Sequence, residues 1–201
     1  EFLLLYRRMS TKRDALKNLE VQMLADTSLP LVPANLVFGE GNVNAKIIFI
    51  GEAPGFNEDL LKRPFVGRGG QLLNESLNNI GWRRESFFIT NIVKRRPPNN
   101  RDPLPQEIAA YKPYLTRQIE IIDPKIIVPL GRFATNYFLP DAKISRDQGK
   151  LFNINDRIII PMFHPAAALR SPTVMKEFGQ SFRKLPIMLA HIFSKSSCNN
   201  I

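Results

Sequence analysis

Four short apolar runs, at 46–50, 87–90, 126–130 and 158–163, constrain this chain more than any other feature of it. Each is rich in Ile, Val or Phe, nearly continuous, and bounded by turn residues. A strand with one wet face alternates apolar and polar side chains. A continuous run must be covered on both faces, as interior strands of a parallel sheet are. Helical spacing fills the gaps. Leu72, Leu73, Leu77 and Ile80 form one stripe, with Gly81 as its stop. Ile108, Tyr111, Leu115, Ile119 and Ile122 form a second, ended by Asp123 and Pro124 and expected to kink or restart at Pro113. Residues 131–139 and 175–194 supply two more helices, the last with Pro186 inside it. Strand and helix in alternation predict a three-layer α/β sandwich with a mostly parallel sheet.

At 201 residues and 44% hydrophobic composition, one domain with a real core is expected, with short arms. Residues 1–35 read as a helical arm packed on the body, 36–195 as the body itself, and 196–201 as a polar tail. The proline-rich passage at 97–105 is a loop, because apolar segments continue on both sides of it. No stretch reaches the length of a membrane span, and the apolar start at 1–6 is too short for a signal peptide, so a cytoplasmic protein is expected. A formal charge of +10 points to a phosphate-bearing partner. The single cysteine, Cys198, excludes an intrachain disulfide and any cysteine-ligated cluster, and no metal site is expected.

Open α/β sheets bind ligands beyond the carboxyl ends of their strands. That rule selects the turns Gly51-Glu52-Ala53-Pro54-Gly55, Asn91, Gly131-Arg132 and His164-Pro165, each directly after an apolar run. A carboxylate, a carboxamide, a glycine and an imidazole would then face one crevice. His164, one of two histidines, suits the stabilisation of a developing anion. Phe65 lies in a Gly/Pro loop where stacking on a flat ligand is its natural use. Gly67 to Gly70, with Arg68 and Gly69 among them, lie beside a helix start and offer free N–H groups to phosphate. Lys94, Arg96 and Arg101 line the same rim as expected phosphate contacts.

Gly51-Glu52-Ala53-Pro54-Gly55, the Glu58-Asp59 pair, Arg63-Pro64-Phe65-Val66-Gly67-Arg68, Thr90-Asn91-Ile92-Val93-Lys94, Arg96-Pro97-Pro98 and His164-Pro165-Ala166 together resemble family 4 uracil-DNA glycosylases. The resemblance runs from about residue 37 to 189, with the motifs in order. It implies an α/β/α sandwich around a four-stranded parallel sheet. It also implies an enzyme that flips uracil from double- or single-stranded DNA and hydrolyses its glycosidic bond. By position, Phe65 would stack on the flipped base and Asn91 would read its Watson–Crick edge. Glu58 would sit near C5, and His164 would donate to uracil O2. Ala166 to Pro172 resembles the loop that enters the duplex, with Leu169 or Arg170 as wedge. Glu52 falls where better-known uracil glycosylases carry a glutamine, and Ala53 where they carry a water-activating aspartate. The general base therefore stays open between Glu52 and a backbone-held water.

Members of that family usually hold a [4Fe–4S] cluster through four cysteines. The matching positions here read Leu24, Thr27, Arg95 and Tyr111, so no cluster is expected. Leu24, Leu29, Leu31 and Tyr111 would then fill the vacated space, with Arg95 turned to solvent or DNA. No lysine stands at the crevice turns, which argues against a Schiff-base lyase. The reading is a monomeric, monofunctional glycosylase. A glycosylase with broader deaminated-base specificity, or an inactive DNA-binding protein on the same fold, are the alternatives.

Overall fold

The computed structural model describes residues 11–198. The apolar start at 1–6 and the last three residues of the expected tail lie outside them. Two β-strands and two helices open the chain. Helix α1 is Lys12–Ala25, strand β1 Glu40–Gly41, strand β2 Ile47–Gly51 and helix α2 Phe56–Leu61. There follow α3 (Arg68–Asn78), β3 (Phe88–Asn91), α4 (Pro105–Ile122), β4 (Ile126–Pro129), α5 (Arg132–Phe138) and α6 (Ile144–Asp147). The rest is β5 (Phe152–Ile154), β6 (Arg157–Ile159), α7 (Pro165–Ala168) and α8 (Pro172–Cys198).

The strand order is β1-β3-β2-β4-β6-β5. All four apolar runs contribute to its parallel centre, with β2 pairing in parallel to β3 and β4, and β4 to β6. The sheet has six strands and not four, because antiparallel edge strands flank that centre, β1 against β3 and β5 against β6. Two- and three-residue edges of ordinary polarity leave little periodic signal in a sequence. Pro161 has no N–H to continue the ladder, so the fourth run closes as a separate bridge between Met162 and Leu130.

Successive side chains of the central strands enter opposite layers. Ile48, Ile50 and Ile127 pack with residues of α1 and α4, whereas Ile47, Phe49, Ile126 and Val128 pack with residues of α3 and α8. This is why the runs are continuous: the sheet is dry on both sides. Pro113 does not restart α4, which runs unbroken from Pro105 to Ile122. The apolar stripe buried by Tyr111, Leu115, Ile119 and Ile122 holds the turns on either side of it against the sheet. Helix α1 starts with a capping box between Thr11 and Asp14 and buries Leu16, Leu19 and Met23 in the same core. Among the described residues no helix is long and apolar enough to cross a membrane.

From β2 the chain crosses to β3 on one side, then passes back over β2 to β4 on the other. The connections diverge at the carboxyl end of β2 and leave a crevice there.

Candidate active site

The four turns picked out by strand position do meet in that crevice. It encloses about 670 Å³, with Glu52, Ala53, Asn91, Gly131 and His164 on its walls beside Phe65 and Glu58. Gly51 and Asn91 are register partners at the ends of β2 and β3. A Cβ on Gly51 would lie 2.4 Å from Asn91 Oδ1 and 2.5 Å from the tip of the Phe65 ring. Glycine at this position is what lets the carboxamide and the ring come together. The Asn91 side chain is buried and, among the described residues, makes no hydrogen bond. Its carbonyl and NH₂ are thus both left for a ligand.

His164 stands at the N-cap of α7, where its Nδ1 accepts the Ala166 N–H at 3.1 Å. An accepting Nδ1 carries no proton, so the proton of the neutral ring sits on Nε2. Burial is the main influence on this imidazole and pushes its pKa down to about 4. Glu58 opposes the shift and Arg170 adds to it. The ring is therefore neutral near pH 7, a hydrogen-bond donor without charge. Gly131, at φ +89°, brings the end of β4 against it, where a Cβ would lie 2.8 Å from that of His164.

Glu52 is half-buried, and desolvation first, then the nearby Asp102, raise its pKa to about 7, with Arg132 working the other way. A carboxyl balanced near neutrality can exchange a proton at physiological pH. Asp102 escapes a reading tuned to the basic run that ends just before it. It pairs with Arg132 at 3.3 Å on the rim.

Phe65 is buried, with its ring centroid 5.7 Å from that of His164, and its backbone is left-handed at φ +52°. A bulky residue holds that conformation only where its surroundings impose it. Two side chains do so. Glu58 Oε1 accepts from Val66 N–H at 2.9 Å and Gly67 N–H at 2.7 Å. Arg84 donates to Pro64 O at 2.6 Å and Phe65 O at 3.1 Å, and also to Asn74 and Glu40. Arg84 lies in the turn between α3 and β3, far in sequence from any crevice motif, and nothing local in the sequence marks it.

Of the expected phosphate contacts, Arg68 and Gly69 open α3 on the crevice wall, and Arg101 and Arg170 line it too. Arg101 is held in a bidentate pair with Glu107 at 2.6 and 2.9 Å. Arg96 is partly exposed beside it, and Leu169 follows α7 with 37% of its surface exposed. Lys94 is not a phosphate contact. It is fully buried beneath β3, donating to Thr90 Oγ1 at 2.5 Å and Gln118 Oε1 at 2.7 Å, and burial pushes its pKa well below the ordinary lysine value. A basic run reads as uniform surface, but here its first member turns inward under the strand.

The positions that correspond to cluster cysteines do not fit an iron–sulfur group. Leu24 and Thr27 face solvent, so Leu24 does not fill the space as expected. Arg95 is also reversed: it is buried and donates to the Ala34 carbonyl. Tyr111 is fully buried and donates to Pro30 O at 2.7 Å, with Leu29 buried and Leu31 packed on the same core. Burial raises the Tyr111 pKa to about 12, and the adjacent Arg95 holds back that rise. Leu24 and Thr27 offer no thiolate, and Arg95 and Tyr111 are hydrogen-bond donors to main-chain carbonyls. Among the described residues no group of three His, Cys, Asp or Glu could hold a metal ion.

A family model described as the uracil DNA glycosylase superfamily matches residues 38–185. A type-4 uracil-DNA glycosylase of Saccharolobus solfataricus is 50% identical over 161 residues, covering 75% of this chain and 74% of that protein. One of Archaeoglobus fulgidus is 43% identical over 175 residues, 83% and 88% of the two chains. A DNA polymerase of Bacillus phage SP01 is 34% identical over 152 residues, which are 75% of this chain but 16% of the polymerase.

Proposed function

The chain belongs to the type-4 uracil-DNA glycosylase family, and on that premise we propose that it excises uracil from DNA in base excision repair through the crevice described above. The observation that carries this reading is the convergence on one cavity of an uncommitted Asn91 carboxamide, the Phe65 ring and a neutral His164 whose Nε2 bears the proton.

Uracil leaves the stack at a cost of a few kcal/mol, lower at a mismatch than in a matched pair. Stacking on Phe65 and phosphate contacts from Arg68, Arg96, Arg170 and the first turn of α3 offset that cost. Leu169 or Arg170 fills the vacated place in the duplex. Asn91 accepts from uracil N3–H and donates to O4. Cytosine presents the reverse pattern and would leave two buried polar pairs mismatched, which rejects it by orders of magnitude. Glu58 fixes the turn that carries Phe65, and its carboxylate stands on the wall that would face C5.

As the C1′–N1 bond breaks, its electron pair passes to N1 and the uracil ring becomes an anion. His164 Nε2–H donates to O2, where part of that charge collects, without placing a competing positive charge in the ground state. Water adds to C1′ of the sugar, and its proton passes to the Glu52 carboxylate. Ala53, beside it, supplies no acid of its own. The reaction needs neither iron nor another metal, and the protein acts as a monomer with one face free for DNA. The N-terminal arm is fixed to the body by packing and by the carbonyl contacts of Arg95 and Tyr111 rather than by a cluster.

The test is excision from end-labelled duplex and single-stranded oligonucleotides carrying one uracil, with EDTA present. Wild type should form abasic sites, His164→Ala should lose most of the rate, and Asn91→Asp should lose uracil selectivity. A folded wild type that binds the DNA without cleaving the glycosidic bond would overturn the reading.

A further inference from the structure

Phe56 opens α2 at the mouth of the crevice, with 59% of its surface exposed. An exposed phenylalanine contributes nothing to the core, and this one is held in place. The guanidinium of Arg96 lies over its ring, 5.1 Å from the centroid. Arg96 is itself fixed by a 2.6 Å bond from Nε to Asn100 Oδ1. Asn99 and Asn100 are both left-handed, at φ +55° and +54°, so the loop that orients the pair is tightly constrained. The result is an aromatic ring backed by a cation, exposed at the entrance to a site for a flipped base.

From this geometry we infer that Phe56 and Arg96 form a stacking platform for an unpaired nucleobase next to the uracil in single-stranded DNA. The inference rests on the uracil-excision reading only for the identity of the base inside the crevice. Every nucleobase has a π-face, so the platform is indifferent to sequence, and Arg96 adds both cation–π support and charge near the backbone. In a duplex the neighbouring bases keep their own stacking partners and have no use for it. The platform therefore favours single-stranded substrates. Leu60 and Leu61 are also exposed further along α2, but neither lines the crevice. Position and the cationic partner thus favour a base over a protein as the occupant.

The experiment compares wild type with Phe56→Ala and Phe56→Trp on single strands whose uracil is flanked by thymines or by abasic spacers, and on a duplex. In wild type, spacers should raise KM by at least about fivefold, the low end of one base–aromatic stack. Phe56→Ala should abolish that difference, Phe56→Trp should restore it, and kcat and duplex KM should not move. Because Phe56 is uncharged, the salt dependence of KM should be the same in wild type and Phe56→Ala. A KM in Phe56→Ala that still depends on the flanking bases, or an equal loss on single strand and duplex, would overturn the platform. So would a substitution without effect on any DNA, which would leave the α2 surface to a protein partner. Anisotropy of a uracil-free single strand, with and without spacers, separates the two readings. Weaker binding by Phe56→Ala there supports the platform even if wild type excises no uracil, and unchanged binding rejects it.

Discussion

Arg84 Nη1 donates to the carbonyl of Phe65 at 3.1 Å, across nineteen positions of sequence, and so holds a buried phenylalanine in the left-handed region. The same guanidinium also reaches Pro64, Asn74 and Glu40, and its side chain keeps 13% exposure. Arg84→Met should destabilise the fold by about 2–3 kcal/mol, because several charge-assisted bonds are lost together. Urea unfolding measures this directly. In the protein that remains folded, KM for uracil-containing DNA should rise more than kcat falls, since the ring shifts while His164 and Glu52 stay in place.

The proposed role of His164 ties the rate to a neutral ring. Its pKa lies below the unfolded value, so the folded state binds fewer protons, and its contribution to stability is full above about 6.5 and lost as pH falls towards 4. Single-turnover excision should therefore keep this group in its active form down to about pH 5. An acidic limb that titrates at about 6.5 and disappears in His164→Asn would contradict the lowered pKa and the neutral ring it implies. His164→Ala should slow single-turnover excision by about 10²–10³, the usual cost of one lost anion-stabilising donor.

Glu52 has the opposite dependence on pH. Its folded pKa is raised to about 7, so the folded state holds a proton that the unfolded chain gives up near 4.5. Its environment therefore costs nothing below about pH 4.5 and destabilises progressively as pH rises through 7. Glu52→Gln should leave stability unchanged at pH 4 and raise it by about 1–2 kcal/mol at pH 8, a figure reduced for partial solvation. The same substitution should lower the single-turnover rate by about 10²–10⁴ and remove its rise through neutral pH. Thermal melts and rapid-quench assays at four pH values test both halves.

Arg95 and Tyr111 hold the N-terminal arm through hydrogen bonds to the carbonyls of Ala34 and Pro30. Purified protein should contain no iron, show no visible absorption band, and keep its melting temperature and activity after treatment with EDTA or bathophenanthroline. Tyr111→Phe, which leaves the Pro30 carbonyl without its donor, should cost about 1–2 kcal/mol. A brown protein that loses activity to the chelator would overturn the metal-free reading.

Gly131→Ala should affect activity more than stability allows. The added methyl meets His164 at 2.8 Å while the backbone sits at φ +89°. Both the strain and the clash act on His164, the ring proposed to donate to the leaving base. A drop in kcat of at least about tenfold with DNA affinity unchanged is expected. Unchanged kcat would show that the close approach is not used.

The layers of this fold and the meeting of Glu52, Asn91 and His164 in one candidate crevice were legible in the sequence. Short continuous Ile/Val/Phe runs bounded by turn residues read as strands covered on both sides, and the residues that end such strands fall at a crevice by local chain geometry. Glu52, Asn91 and His164 are therefore found without knowing any long-range contact, and the glycine- and proline-rich loop marks Phe65. Edge strands escaped because two or three residues carry no period. Tertiary structure alone decided which cations stay at the surface and which are sealed inside. Lys94 and Arg96 stand two positions apart in one basic run, yet one is sealed under the sheet and the other backs Phe56 at the surface. It also decided the charge states of Glu52 and His164, the inward turn of Arg95 and the reach of Arg84 to Phe65. Burial and Coulomb fields are sums over neighbours brought together by folding, so they belong to no local stretch of sequence.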